Sequence, residues 1–194
     1  MARAFIALLL DAATRQTVAA EIERLRPLSR AVAWVPAPNL HLTLKFLGEQ
    51  SVARLDEARS ALQEVAAGLT PFTIVLHGVG AFPAMERPRI VWVGVGGGAP
   101  EVCLLQARVE AALEGAGFPR EARSWHPHLT IGRVFDERRW RRELSPALRE
   151  ALVRAATADF GSLPATALAL IRSDLSPRGA RYSELASVSF AGRA

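Results

Sequence analysis

The sequence predicts a mixed helix-and-strand protein built from two related strand–helix–strand units. Three observations predict it. The tetrapeptide His41-Leu42-Thr43-Leu44 recurs as His128-Leu129-Thr130-Ile131. Each copy closes a similar unit, with 38 residues from Arg3 to His41 and 39 from Arg89 to His128. The lead-in segments also match in kind, Arg3-Ala4-Phe5-Ile6-Ala7 against Arg89-Ile90-Val91-Trp92-Val93. Duplication of one unit implies two lobes about a pseudo-two-fold axis, each offering one histidine to a shared substrate.

Residues 3–10, apolar from Ala4 on, read as a buried strand that Asp11 closes. Residues 12–28 read as a helix, because Val18, Ile22 and Leu25 are spaced for one face. Pro27 ends it, and Pro36 and Pro38 break the next segment. Residues 40–47 alternate like a strand that Gly48 stops. Ser51 is an N-cap for a helix over 52–69 with Val52, Leu55, Leu62 and Val65 on one side. Strands follow at 72–82 and 90–95, joined by the proline-rich loop 83–88. Gly96-Gly97-Gly98 precedes a helix over 101–113, and Gly115 and Gly117 suit its end. Residues 126–134 read as a strand, and 136–156 as helix interrupted near Pro146. Two last strands, 166–174 and 181–190, flank the turn Ser176-Pro177-Arg178-Gly179.

The length of 194 residues suits one compact domain or two small lobes. With 50% hydrophobic and 22% charged residues, a sizeable core is expected and disorder is not. The apolar run 4–10 is too short for a membrane span or a secretion signal. Cys103 is the only cysteine, so an internal disulfide is excluded and a thiolate zinc site is not expected. On a helix it is expected to be a buried, inert thiol, and the cytoplasm is the expected location. Nothing in the sequence demands more than a monomer. The net charge is +5, and every basic residue except Lys45 is arginine. That balance suits a polyanionic partner such as RNA, or reflects only a preference for arginine.

The motifs carry the chemistry. Histidine exchanges protons near neutral pH, so a matched pair suits one acid and one base. Residues two apart on a strand share a face. His41, Thr43 and Lys45 therefore share one face, and Leu42, Leu44 and Phe46 the other, toward the core. In the second motif His126, His128, Thr130 and Gly132 share a face opposite Leu129 and Ile131. Threonine hydroxyls can donate to phosphoryl oxygens, and Lys45 would add a positive charge. Arg133 has the opposite parity and needs a bulge to reach the same ligand. His77 lacks this context and reads as structural, and His126 as supporting or incidental. The chemical rival is zinc held by His126, His128 and His41. Against it, no carboxylate lies near either motif and both threonines would be idle. Trp34, Trp125, Phe82 and Tyr182 are candidates for stacking on a base, with core packing the alternative. Arg138-Arg139-Trp140-Arg141-Arg142 suits RNA phosphates or a solvated helix face.

These residues resemble the 2H phosphoesterases, and within them the RNA 2′,3′-cyclic phosphodiesterases, or 2′-5′ RNA ligase-like proteins. The resemblance runs through 3–7, 39–48, 78–83, 88–92, 127–133 and Gly179-Ala180-Arg181-Tyr182. His126 before Pro127 departs from the expected pattern. The resemblance implies a bilobal α+β fold over residues 1–194, with two mainly antiparallel sheets around a central cleft. It implies a reaction without metal or other cofactor that opens an RNA or nucleotide 2′,3′-cyclic phosphate to the 2′-phosphomonoester. It makes His41 the proton donor and His128 the acceptor, with Thr43 and Thr130 on the phosphoryl oxygens. Lys45, Arg133 and Tyr182 are the expected substrate-binding residues. The repeat's own symmetry leaves the direction of proton transfer open. The alternatives are a 2′-5′ RNA ligase joining RNA ends and a non-catalytic RNA-binding module.

Overall fold

The computed structural model describes residues 1–176 and 179–192. In chain order the elements are β1 (Ala2–Leu9), α1 (Ala12–Leu25), β2 (Val32–Trp34), β3 (His41–Gln50), α2 (Val52–Ala67), β4 (Phe72–Phe82) and β5 (Ile90–Val95). There follow α3 (Ala99–Gly115), β6 (His128–Val134), α4 (Glu137–Glu143), α5 (Pro146–Ala155), β7 (Asp159–Ala165), β8 (Ala167–Ser176) and β9 (Gly179–Ser189).

Helices α1, α2, α4 and α5 begin where a side chain accepts from the exposed first-turn amides. Asp11 caps Thr14 N, Ser51 caps Arg54 N, Asp136 caps Arg139 N and Ser145 caps Leu148 N. The helix expected over 12–28 ends at Leu25, and Pro27 lies in a short 3-10 turn. The region 136–156 divides into α4 and α5, with Pro146 in the first turn of α5, where its missing N–H costs nothing. Two strands, β2 and β7, were not expected. β2 has three residues between proline-rich turns. β7 contains Pro164, which the strand tolerates because it lies at the edge of the sheet. Of the expected turn at 176–179, Pro177 and Arg178 lie outside the described residues. Ser176 Oγ donates to Gly179 O at 2.8 Å.

The strands run antiparallel in the order β7-β4-β5-β6-β3-β1-β8-β9, with β2 also on β6. The two expected sheets are the four-stranded halves β7-β4-β5-β6 and β3-β1-β8-β9. They join into one curled sheet through a single residue pair, Leu42 with Leu129. The halves exchange strands: β4, which follows the first motif, lies beside β5, and β8, which follows the second, lies beside β1. The half β7-β4-β5-β6 thus comes from the middle of the chain, and the half β3-β1-β8-β9 joins its two ends.

One face of the sheet packs under the helices. Leu42, Leu44, Leu129 and Ile131 are buried there with Val18 and Ile22 of α1, Leu62 of α2, Val109 of α3 and Leu152 of α5. The opposite face carries a small cluster of Phe5, Ala7, Ala169 and Ile171, with Tyr182 against it. Two sequence expectations for the helices need correction. Val52 is 77% exposed at the start of α2, and Leu55, Ala58 and Leu62 form its buried face. Cys103 is exposed, because α3 buries Val102, Leu105, Val109 and Leu113 and turns the next position outward.

Candidate active site

Two bulges at matching positions shape the site. Along β1 and β3, Ala7 pairs with Thr43 and Ile6 with Lys45, so Leu44 is skipped. Along β5 and β6, Trp92 pairs with Thr130 and Val91 with Gly132, so Ile131 is skipped. Each extra residue directly follows a motif threonine and reverses the alternation beyond it. This register sets Ala7 against Trp92 as equivalents, one residue away from the match read between the lead-in sequences.

The bulges exchange the roles expected for two cations. Lys45, expected on the histidine face, turns into the core and is 5% exposed. Its ammonium donates to the Glu110 carboxylate and, at 2.7 Å, to Pro119 O. Phe46, expected in the core, is instead 57% exposed and lies tilted against Phe5 at 6.0 Å. Gly132 likewise turns away from the histidine face, toward Val32 and Trp34. Arg133, three residues after Thr130 as Phe46 is after Thr43, is exposed beside the site.

The pair Leu42–Leu129 lays the two motifs side by side and antiparallel. One step from that pair on the two strands are His41 and Thr130, and Thr43 and His128. All four are half-buried, on the face opposite the buried leucines. Each histidine is fixed in the same way. His41 Nδ1 is 2.7 Å from Asn39 O, and His128 Nδ1 is 2.8 Å from His126 O. A carbonyl only accepts, so Nδ1 donates in both rings, and in the neutral ring Nε2 is left as the proton acceptor. Asn39 Nδ2 also donates to Ala180 O at 2.8 Å, tying the β8–β9 hairpin to the first motif.

Aromatic rings wall both imidazoles. Phe5 stacks on His41 at 4.6 Å, and Tyr182 stands edge-on to His41 at 5.3 Å. Phe82 stands edge-on to His128 at 5.2 Å, with Trp92 at 5.2 Å and His126 at 6.3 Å from its ring. Burial lowers the pKa of both histidines. The bonds to Asn39 O and His126 O oppose that shift by favouring the protonated ring. Arg133 lowers both values further, and His126 adds to the effect at His128. One guanidinium, that of Arg133, thus acts on both rings.

The structure therefore gathers His41, Thr43, His128, Thr130, Arg133 and Tyr182 on one face and removes Lys45. Among the described residues, no three His, Cys, Asp or Glu side chains are grouped to hold a metal. Trp125 donates from Nε1 to Thr43 O at 3.3 Å. His77 is exposed on β4, in register with His128 across Gly94 of β5. In α4, Trp140 is fully buried and donates to Met85 O. Arg139 pairs with Glu143 and Arg141 with Glu137, so this basic run lies on the exposed side of an anchored helix. Sequence reasoning missed Phe5 and Asn39. Phe5 stood in the quoted lead-in strand, and Asn39, like His126, stands two residues before its histidine.

Comparison with known proteins bears on these features. The family model described as the 2′-5′ RNA ligase superfamily matches residues 14–177. A protein of Methanothermobacter thermautotrophicus named RNA 2′,3′-cyclic phosphodiesterase is 33% identical over 184 residues, 94% of this chain and 96% of its own. One of the same name from Aeropyrum pernix is 37% identical over 150 residues, 77% of this chain and 81% of its own. The crystal structure of TT0787 of Thermus thermophilus superposes with a TM-score of 0.79 at 28% identity, covering 99% of this chain and 100% of that one. That of E. coli LigT complexed with 3′-AMP gives 0.74 at 26% identity, covering 97% and 98%. Among the described residues no helix is long and apolar enough to cross a membrane. With paired histidine–threonine motifs on one curled antiparallel sheet, the chain belongs to the 2′-5′ RNA ligase superfamily of 2H phosphoesterases.

Proposed function

We propose that this protein hydrolyses the 2′,3′-cyclic phosphate of an RNA end or nucleotide to the 2′-phosphomonoester by two-histidine acid–base catalysis. The observation that carries the reading is the matched pair of imidazoles. Each is held through Nδ1 by a backbone carbonyl, with its Nε2 free for a substrate. The relatives named RNA 2′,3′-cyclic phosphodiesterase support the substrate.

In the reaction, neutral His128 takes a proton from water as the water oxygen bonds to phosphorus. The bond from phosphorus to O3′ breaks, and protonated His41 supplies the proton that O3′ needs. Each transfer contributes roughly 10²–10⁴-fold. Thr43 and Thr130 donate to the non-bridging oxygens, and Arg133 offsets their charge, where it builds in the transition state. Bound anionic phosphate counters the Arg133 field and raises the His41 pKa, favouring the protonated acid. The direction, with His41 as acid, follows the family resemblance. Tyr182, edge-on to His41, borders the ribose that carries the departing O3′.

The test is turnover of 2′,3′-cyclic AMP in excess EDTA, with the product identified by phosphorus NMR. The 2′-monophosphate alone is expected. A 3′-monophosphate, or loss of activity in EDTA, contradicts the reading. The family's name favours one further reading, in which an RNA 5′-hydroxyl replaces water and a 2′-5′ linkage forms. A gel assay on RNA halves, one ending in a cyclic phosphate, decides between water and hydroxyl as the preferred nucleophile.

A further inference from the structure

The two motif histidines are approached by unlike segments. Ahead of His41, β2 is held to β6 by its backbone. Val32 pairs with Val134, Ala33 with Arg133 and Trp34 with Gly132, and Val35 N donates to Ile131 O at 2.9 Å. Ahead of His128, residues 116–127 form no helix or strand. Side chains hold this segment instead. Arg54 donates to Ala116 O at 2.8 Å and lies 4.0 Å over the Phe118 ring. Lys45 Nζ donates to Pro119 O at 2.7 Å and to the Glu110 carboxylate. Glu110 Oε1 also accepts from Glu121 N at 2.8 Å. Trp125 Nε1 donates to Thr43 O.

Lys45 and Gly132 are equivalents, each two residues after a motif threonine and turned coreward by a bulge. At Gly132 the missing side chain makes room for Val32 and Trp34 of β2. At Lys45 the side chain itself reaches out to the lead-in segment. The Lys45 and Glu110 side chains are 3% and 8% exposed. Apolar residues of similar volume commonly serve a core as well as a buried ion pair does, because charges lose hydration on burial. What apolar residues cannot do is hold the carbonyl of Pro119 and the amide of Glu121.

We propose that Lys45 and Glu110 are positioning residues for His128, a clamp from the strand of the first motif onto the loop that aims the second. The kinetic part of this proposal rests on the two-histidine reading, and its structural part does not.

The test compares the native protein with Lys45→Met/Glu110→Leu, which removes both buried charges and leaves neither unpaired. Amides of 120–126 are expected to exchange about tenfold faster in deuterium oxide, while those of β1 and β8 stay protected. By NMR, the His128 ring should titrate closer to 6.5 as the loosened loop admits water, with His41 unchanged. Arg133 and His126, the charged groups acting on His128, are kept in the variant. With 2′,3′-cyclic AMP, kcat should fall at least about tenfold with KM near its native value, as misplacement of one proton donor or acceptor requires. Native exchange, titration and kcat in the double variant would overturn the proposal.

Trp125→Phe, which removes only the bond to Thr43 O, is the second variant and stands even if the first fails to fold. Faster exchange at 122–126 and an upward shift of His128 support the clamp, and native values for both overturn it. Should the native protein open no cyclic phosphate, the functional reading fails, and exchange and titration still decide this proposal.

Discussion

Leu42 and Leu129 pair with each other across β3 and β6, and each directly follows a motif histidine. Both are buried, at 1% and 0% exposure. The pair marks the pseudo-two-fold axis, because equivalent residues meet there. Antiparallel geometry then sets each histidine toward the threonine of the opposite motif, so two hydroxyls and two imidazoles can share one phosphate.

The electrostatics predict an acidic optimum. The proposed mechanism needs one neutral and one protonated histidine, and burial followed by Arg133 moves both values below 6.5. The maximum of kcat/KM, which reports the free enzyme, is expected on the acid side of 6.5. In Arg133→Ala the Coulombic part of that shift disappears, so the maximum moves up toward 6.5 while KM rises. Initial rates on a cyclic nucleotide across the acid-to-neutral range check both.

Stability should depend on pH in the same region. The histidines of the unfolded chain titrate near 6.5, and those of the folded protein lower. Between the two values the unfolded chain binds more protons, so stability rises with pH. This contribution is complete above the unfolded value and is lost as pH falls through the folded ones. The melting temperature should therefore drop on acidification below 6.5. The drop should be shallower in His41→Asn/His128→Asn. Glu143 acts in a separate, lower window. Burial raises its carboxyl, but bonds from Ser29, Arg139, Arg30 and Ala31 outweigh that and lower it.

Gly132 is predicted to be intolerant for steric reasons. A Cβ there would lie 2.6 Å from Val32 Cγ1 and 3.1 Å from Trp34 Cε3. Gly132→Ala should cost about 1–3 kcal/mol in urea unfolding, because β2 must shift outward. Its strand carries Arg133 and ends at the site, so KM should rise with it.

Much of this architecture was legible in the sequence because it rests on local pattern. The motif repeat, the N-cap at Ser51 and the buried faces of Leu42, Leu44, Leu129 and Ile131 all follow from period and residue type. The bulges were not legible, because skipping Leu44 or Ile131 is a relation between two strands that neither strand's alternation encodes. That one gap accounts for Lys45 in the core, Phe46 on the surface and Arg133 at the site. β2 was too short to show a period, and Pro164 disguised an edge strand. Cys103 was misplaced because a helix turns each next residue by about 100° away from the buried one.

The central claim is that His41 and His128 act together on one phosphate, and single-residue kinetics test it most directly. The rate of 2′-AMP formation from 2′,3′-cyclic AMP should be measured for the native protein, His41→Ala and His128→Ala, each confirmed folded. Each variant is predicted to lose roughly 10²–10⁴-fold in kcat while keeping the native thermal transition at neutral pH. Native turnover in either variant would contradict the account.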